Sequence, residues 1–283
     1  MALSLRQIKS RIRSIESTRK LTRAMEMIAI SKLRRAEREL GLAQAYHARI
    51  ESLLMNILPP GVFKHPFFND NQDNSSIALC VVTSDTGFCS AYNHSLLYVA
   101  ENFLRSHDPA KVTLVAVGKK GFSYFKKKGF KVPHAFVGLH GRYSENVSSG
   151  ILKTLSAQFI SRQVSQVYAA YMQVKTAARY KAVVEKILGI ERVRRQEAKY
   201  ILEPGLNGVL EELIPEYLES RMRVILLHSF TAEHRARSIA MGEATQNATE
   251  LLVELVLLRN KVRQANITRE IIEIVSSAEA LKG

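Results

Sequence analysis

Ser84-Asp85-Thr86-Gly87 is the segment of this 283-residue chain whose residue types best suit chemistry. It follows an apolar run at 77–83, and small hydroxyls with a glycine at a strand end can hold a phosphate where a helix begins. The same residues also make a plain strand-to-helix turn, with Asp85 and Gly87 shaping it and Ser90 capping the next helix, and that reading is favoured. A second glycine cluster, Gly118-Lys119-Lys120-Gly121, brings cations but no recognisable phosphate cradle. Neither GxGxxG nor the P-loop pattern occurs in the chain.

Other chemistry is equally sparse. His228 and His234 do not have the four-residue spacing of a helical metal pair, and no HExxH is present. His65, His94, His107, His134 and His140 lie in or near loop-like sequence without acidic or cysteine companions. Ser84 and Asp85 lack a placed histidine for a triad. Cys80 and Cys89 form neither a CxxC nor a metal pattern and read as reduced strand and turn residues in a reducing compartment. The expectation is no catalytic residue, no metal ligand and no cofactor.

The elements that would position these residues are more legible. The first proline is Pro59 and the last is Pro215; before the first the only glycine is Gly41, and after the last the only internal glycine is Gly242. Both ends therefore read as single long helices. In the C-terminal one, Met241, Ala244, Ala248, Leu251, Leu255, Leu258, Val262 and Ala265 fall at alternating steps of three and four, the pattern of a coiled-coil seam. In the N-terminal one, Ile8, Ile12 and Ile15 continue a stripe begun at Leu5; it turns polar at Arg19, Thr22 and Glu26 and resumes at Ala29, Leu33 and Ala36. Leu21, Met25 and Ile28 repeat on a neighbouring face, which implies a local change of winding or contacts outside the pair.

Between the helices the texture changes. The expected organisation is an N-terminal helix at 1–58, a linker at 59–76 rich in proline and polar residues, a globular α/β domain at 77–204 and a C-terminal helix at 205–283. Strands are expected at 77–83, 112–117, 167–174 and 180–188, with a further extended piece at 131–137; helices are expected at 90–105, 118–128 and 146–162. Strands apolar at nearly every position indicate a sheet covered on both faces. The fold class is α/β, a domain inserted between two long terminal helices.

Composition bounds the function. With 46% hydrophobic and 24% charged residues the chain buries a real core. The net charge is +15, and residues 1–58 carry twelve Lys/Arg against five Asp/Glu, whereas 216–283 carry nine of each. Such a cationic helix suits nucleic acid, an anionic membrane surface or an acidic protein. No run of 18 apolar residues exists to span a membrane, since even 251–258 is broken by Glu254, and the helical pattern is under way by Leu5, where a signal sequence would stand.

Several segments then carry a family likeness. Ile8-Lys9-Ser10-Arg11-Ile12, Thr22-Arg23-Ala24-Met25-Glu26-Met27-Ile28-Ala29 and Ser31-Lys32-Leu33-Arg34-Arg35-Ala36 resemble the first helix of the gamma-subunit family of F-type ATP synthases. Arg237-Ser238-Ile239-Ala240-Met241, Ala244-Thr245-Gln246-Asn247-Ala248, the run from Asn260 through Thr268, and Glu273-Ile274-Val275 are similar to that family's C-terminal signature in order and spacing. The turn Ser84-Asp85-Thr86-Gly87-Phe88-Cys89-Ser90 is looser: the family usually has arginine at Thr86, leucine at Phe88 and glycine at Ser90. Arg259 replaces a more usual tyrosine, and 166–188 follows the family poorly.

The resemblance implies a rotor. The terminal helices would pair as an antiparallel coiled-coil shaft inside a ring of alpha and beta subunits, which hold the catalytic sites. A Rossmann-like domain would sit on the epsilon subunit and the membrane c-ring, at the cytoplasmic face of a bacterial inner membrane. Met25, Arg237, Gln264 and Thr268 would lie near the ring. Two rivals remain: a coiled-coil, basic nucleic-acid-binding protein, disfavoured because no aromatic residue precedes Tyr46 on the most basic helix, and a nucleotide-dependent enzyme, disfavoured by the missing phosphate motifs.

Overall fold

The computed structural model describes residues 4–58, 67, 76–176, 179–188, 202–203 and 205–280. Of the expected linker at 59–76, all but Phe67 and Ser76 lies outside the described residues. The elements are α1 (Leu5–Ile57), β1 (Ile77–Val82), α2 (Tyr92–Arg105), a single 3-10 turn (Pro109–Lys111), β2 (Val112–Val117), α3 (Lys119–Lys127), β3 (His134–Phe136), α4 (Glu145–Ile160), β4 (Gln166–Thr176), β5 (Arg179–Leu188) and α5 (Leu206–Ala280). α5 begins upstream of Pro215, which falls inside it. The missing proline N–H costs one helical bond, and burial of Ile214, Tyr217 and Leu218 around it offsets that loss. Ser90 does not cap α2, which starts at Tyr92 behind Ala91 with no side-chain cap.

The chain forms two compact units, Ile30–Arg237 and Met1–Ala29 with Ser238–Gly283. The expected boundaries near 58 and 205 are ends of helices; the compact units divide within α1 and α5 instead.

The larger unit holds one five-stranded sheet in the order β3-β2-β1-β4-β5. β1 pairs parallel with β2 and β4, β2 pairs parallel with β3, and β5 joins β4 antiparallel. Every residue of β1 is buried, which explains its unbroken apolar sequence. Alternate side chains go to two cores. Ala78, Cys80 and Val82 face α4 (Ile151, Leu155, Phe159) and the first half of α5 (Ile214, Met222, Leu226), whereas Leu79 and Val81 face α2 (Leu96, Ala100) and Phe125 of α3. Further along, α5 gives Ala232 and Ala236 to the second core, so it crosses the end of the sheet where the parallel strands finish.

The smaller unit is the antiparallel pairing of the outer ends of the two helices. Ile8 and Ile12 bury with Leu252 and Leu255, flanked by Ile15, Val256 and Val262. Met241 and Ala248 are also buried, but Leu251 and Leu258 are 40% and 38% exposed, contrary to the expected seam. The seam follows Met241, Thr245, Ala248, Leu252, Leu255 and Val262, so alternate layers are shifted by one residue from the sequence reading. Where the α1 stripe turns polar, the Thr22 hydroxyl lies 2.9 Å from that of Thr245, and Glu26 lies over Gly242.

Candidate functional site

The crevice at the ends of β1 and β4, where the strand order changes direction, is where an open α/β sheet ordinarily takes a ligand. Here it is closed by the chain itself. Asp85 projects from the turn after β1, and its Oδ1 accepts hydrogen bonds from the backbone N–H of Lys119 (3.0 Å) and Gly138 (3.1 Å), while Oδ2 accepts from His140 N–H (2.8 Å). Burial alone would raise this carboxyl's pKa, but the three backbone donors pull it below the ordinary aspartate value. One side chain therefore ties the β1–α2, β2–α3 and β3–α4 connections together, occupying donors that a phosphate would otherwise use.

The glycine cluster has a packing role. Gly118 sits at φ 90°, and a Cβ there would lie 2.2 Å from the Thr83 carbonyl oxygen; one on Gly121 would lie 2.8 Å from Thr83 Oγ1. Thr83 Oγ1 instead accepts from Gly121 N–H at 2.8 Å. The start of α3 is thus pressed against β1, and Lys119 and Lys120 point outward.

The turn is held from the other side by α5. Arg237 donates from its NH2 nitrogen to the Thr86 hydroxyl (3.0 Å) and to Glu233 Oε1 (2.8 Å), and from Nε to the Gly87 carbonyl (3.3 Å). Glu233 is 1% exposed and its Oε2 has no hydrogen-bond partner. Its pKa is raised by burial, with Arg237 pulling the other way. His234 Nε2 lies 2.9 Å from the Gly141 carbonyl, to which it must donate, leaving Nδ1 to face Arg237. Burial, with the neighbouring cations, lowers its pKa to about 4. Nearly two turns before His234, His228 Nδ1 accepts from Val174 N–H (3.2 Å), and the adjacent Ser229 Oγ accepts from Met172 N–H (3.2 Å). They cover the part of β4 that extends beyond its pairing with β1. Both histidines are neutral packing groups, and among the described residues no cluster of His, Cys, Asp and Glu suits a metal. Cys80 and Cys89 are free and buried, and burial pushes the Cys80 thiol up to about 12.

The residues expected at a ring contact do not gather. Arg237 is buried and engaged inside the larger unit. Met25 is half-buried on the smaller unit, and Gln264 and Thr268 are exposed near the end of α5. Stepping the Thr22–Thr245 pairing back to Leu5 brings α5 to Val262, so α5 beyond that point has no α1 residue opposite it. Ile267, Ile271, Ile274 and Val275 are all exposed there. Sequence alone did not single out Glu233, which pairs with Arg237, nor connect His234 to Gly141 or Arg237 to Thr86 and Gly87, because those loops are remote along the chain.

An α/β domain carried between two long terminal helices, its ligand crevice closed by an internal carboxylate, defines a narrow class of protein. The chain belongs to the ATP synthase gamma-chain family: the ATP synthase family profile matches residues 4–281. It is 32% identical over 292 residues to the ATP synthase gamma chain of Chlorobium phaeobacteroides (strain BS1), covering 99% of each chain. It is 33% identical over 284 residues to that of Pelotomaculum thermopropionicum, again covering 99% of each. In fold it matches a chain of the Euglena gracilis mitochondrial ATP synthase OSCP/F1/c-ring structure with a TM-score of 0.70 at 15% identity, covering 98% of this chain and 94% of that one.

Proposed function

We propose that this chain is the central-stalk rotor of a bacterial F-type ATP synthase, coupling ion flow through a membrane c-ring to ATP synthesis or hydrolysis in a ring of alpha and beta subunits. The observation that supports this most directly is the antiparallel helix pair of the smaller unit. Its seam buries leucine and isoleucine, its middle layer is a pair of threonines, and the last turns of α5 carry exposed apolar residues. A shaft must be stiff, and paired helices provide stiffness; it must also turn inside its housing, and a surface without one deep anchoring pocket permits that. The chain itself performs no catalysis, and its role is to bias the conformations of sites on other subunits.

Met25, Gln264 and Thr268 are the proposed ring contacts. Arg237 is left out because its guanidinium is engaged on Thr86, Gly87 and Glu233. The epsilon subunit and the c-ring are the proposed partners of the α/β domain. No described helix is long and apolar enough to cross a membrane, and the proposed location is peripheral, at the cytoplasmic face of the plasma membrane.

The test is co-expression with alpha and beta subunits from the same source, followed by native mass and ATPase measurement. One copy of this chain per ring, with turnover that depends on it, is the expected result. A ring that assembles and turns over equally well without it would overturn the reading.

A further inference from the structure

The geometry points to the outer face of α3 as a docking surface for anionic phospholipid. Residues 111–144 contain seven lysines and Arg142 but no aspartate or glutamate. That net charge of +8 is most of the +10 carried by the whole stretch between the terminal helices, residues 58–205. At 3.6 residues per turn, Lys119, Lys120, Lys126 and Lys127 fall within about 120° of one another around α3. All four are exposed, and Gly121 and Phe125 are buried on the opposite face. The fifth lysine of the helix and its exit, Lys128, is turned away onto Glu101.

Three features favour a bilayer over an acidic protein or a discrete phosphate. The face is made of lysine alone, with Ser123 between; strongly hydrated point charges suit a diffuse anionic surface, whereas fixed carboxylates are better gripped by the arginine fork. No large apolar side chain is exposed on it to anchor a protein partner. The N–H groups at the start of α3 are already used, Lys119 on Asp85, Lys120 on the Ser84 carbonyl and Gly121 on Thr83, so no phosphate pocket exists there. The inference rests on the rotor reading only for placing a membrane nearby.

The experiment uses the full chain and vesicles of phosphatidylcholine with or without phosphatidylglycerol, read by co-sedimentation. Each lysine near such a surface strengthens adhesion about fivefold. The variant Lys119→Gln/Lys120→Gln/Lys126→Gln/Lys127→Gln is therefore expected to bind phosphatidylglycerol vesicles at least about tenfold more weakly. A control, Arg6→Gln/Lys9→Gln/Arg13→Gln/Lys20→Gln, removes the same charge from exposed positions of α1 and is expected to retain binding. Glutamine is nearly as good a helix former as lysine, so both variants should keep the wild-type circular dichroism. Equal loss in both variants, or no loss in the first, overturns the assignment. Tighter capture of soluble polyglutamate than of vesicles also overturns it, in favour of an acidic protein. The vesicle measurement uses this chain alone and the assembly test uses the unaltered chain with alpha and beta subunits, so failure of this inference and failure of the rotor reading are separately visible.

Discussion

At the scale of residues, the buried pair Glu233–Arg237 is the most consequential. Arg237→Ala leaves a carboxylate that is 1% exposed without its cation and releases the Thr86–Gly87 turn, and a loss of about 3–5 kcal/mol in chemical denaturation is expected. A loss below about 1 kcal/mol would show that the pair is dispensable. Ser90 is the opposite case. It sits at φ 49°, a left-handed conformation that an L side chain strains, where the family usually has glycine, so Ser90→Gly should raise stability by about 1 kcal/mol. His228 and His234 set a pH dependence. Each is held near pKa 4 when folded, against about 6.5 when unfolded. The unfolded chain therefore binds more protons between those values, and stability that is fully present above about pH 6.5 is lost as pH falls toward 4. Replacing both histidines with glutamine should flatten the melting temperature across that window. An unchanged slope would assign the acid sensitivity to other groups, of which His47, its pKa also lowered by burial, acts in the same sense, whereas Asp85 acts only at lower pH and the raised pKa of Glu233 acts in the opposite sense.

At the scale of elements, period and punctuation made most of the fold legible. β2 occupies the whole of 112–117, and the strands and helices expected around it differ from the structure by only a few residues at their ends. Apolar runs, glycine and proline carry that information locally. The seam register was less legible, for a physical reason. Between 251 and 258 the leucines Leu251, Leu252, Leu255, Leu257 and Leu258 populate several faces, so steps of three and four can be drawn through either Leu251 or Leu252. What selects Leu252 is the partner helix, which puts Thr22 against Thr245, a residue no apolar pattern would choose. The register has a direct check: Leu252→Asp should cost about 3 kcal/mol or more in thermal or chemical unfolding, while Leu251→Asp on the exposed face should change it by under about 1 kcal/mol. Equal effects would mean the helices pair differently. The candidate site was half legible: the turn at 84–87 stood out by composition, but its clasp on α5 did not, because Glu233, His234 and Arg237 acquire their meaning from loops some 90 to 150 residues away.

At the scale of the whole molecule, a sheet of nucleotide-binding topology is attached to helices that do something else. The isolated chain is accordingly expected to give no heat on titration with ATP or with a dinucleotide, and saturable binding at micromolar concentration would contradict the closed crevice. Asp85→Ala removes three charge-assisted hydrogen bonds and should speed amide exchange at Lys119, Gly138 and His140 together, because one carboxylate serves all three. That shared carboxylate also settles what the domain can communicate. An anion that is covalently part of the chain cannot dissociate, so the domain has no empty and filled forms between which to alternate. It can relay a torque, but it has no chemical clock of its own, and the timing of any cycle must be set by the proteins around it.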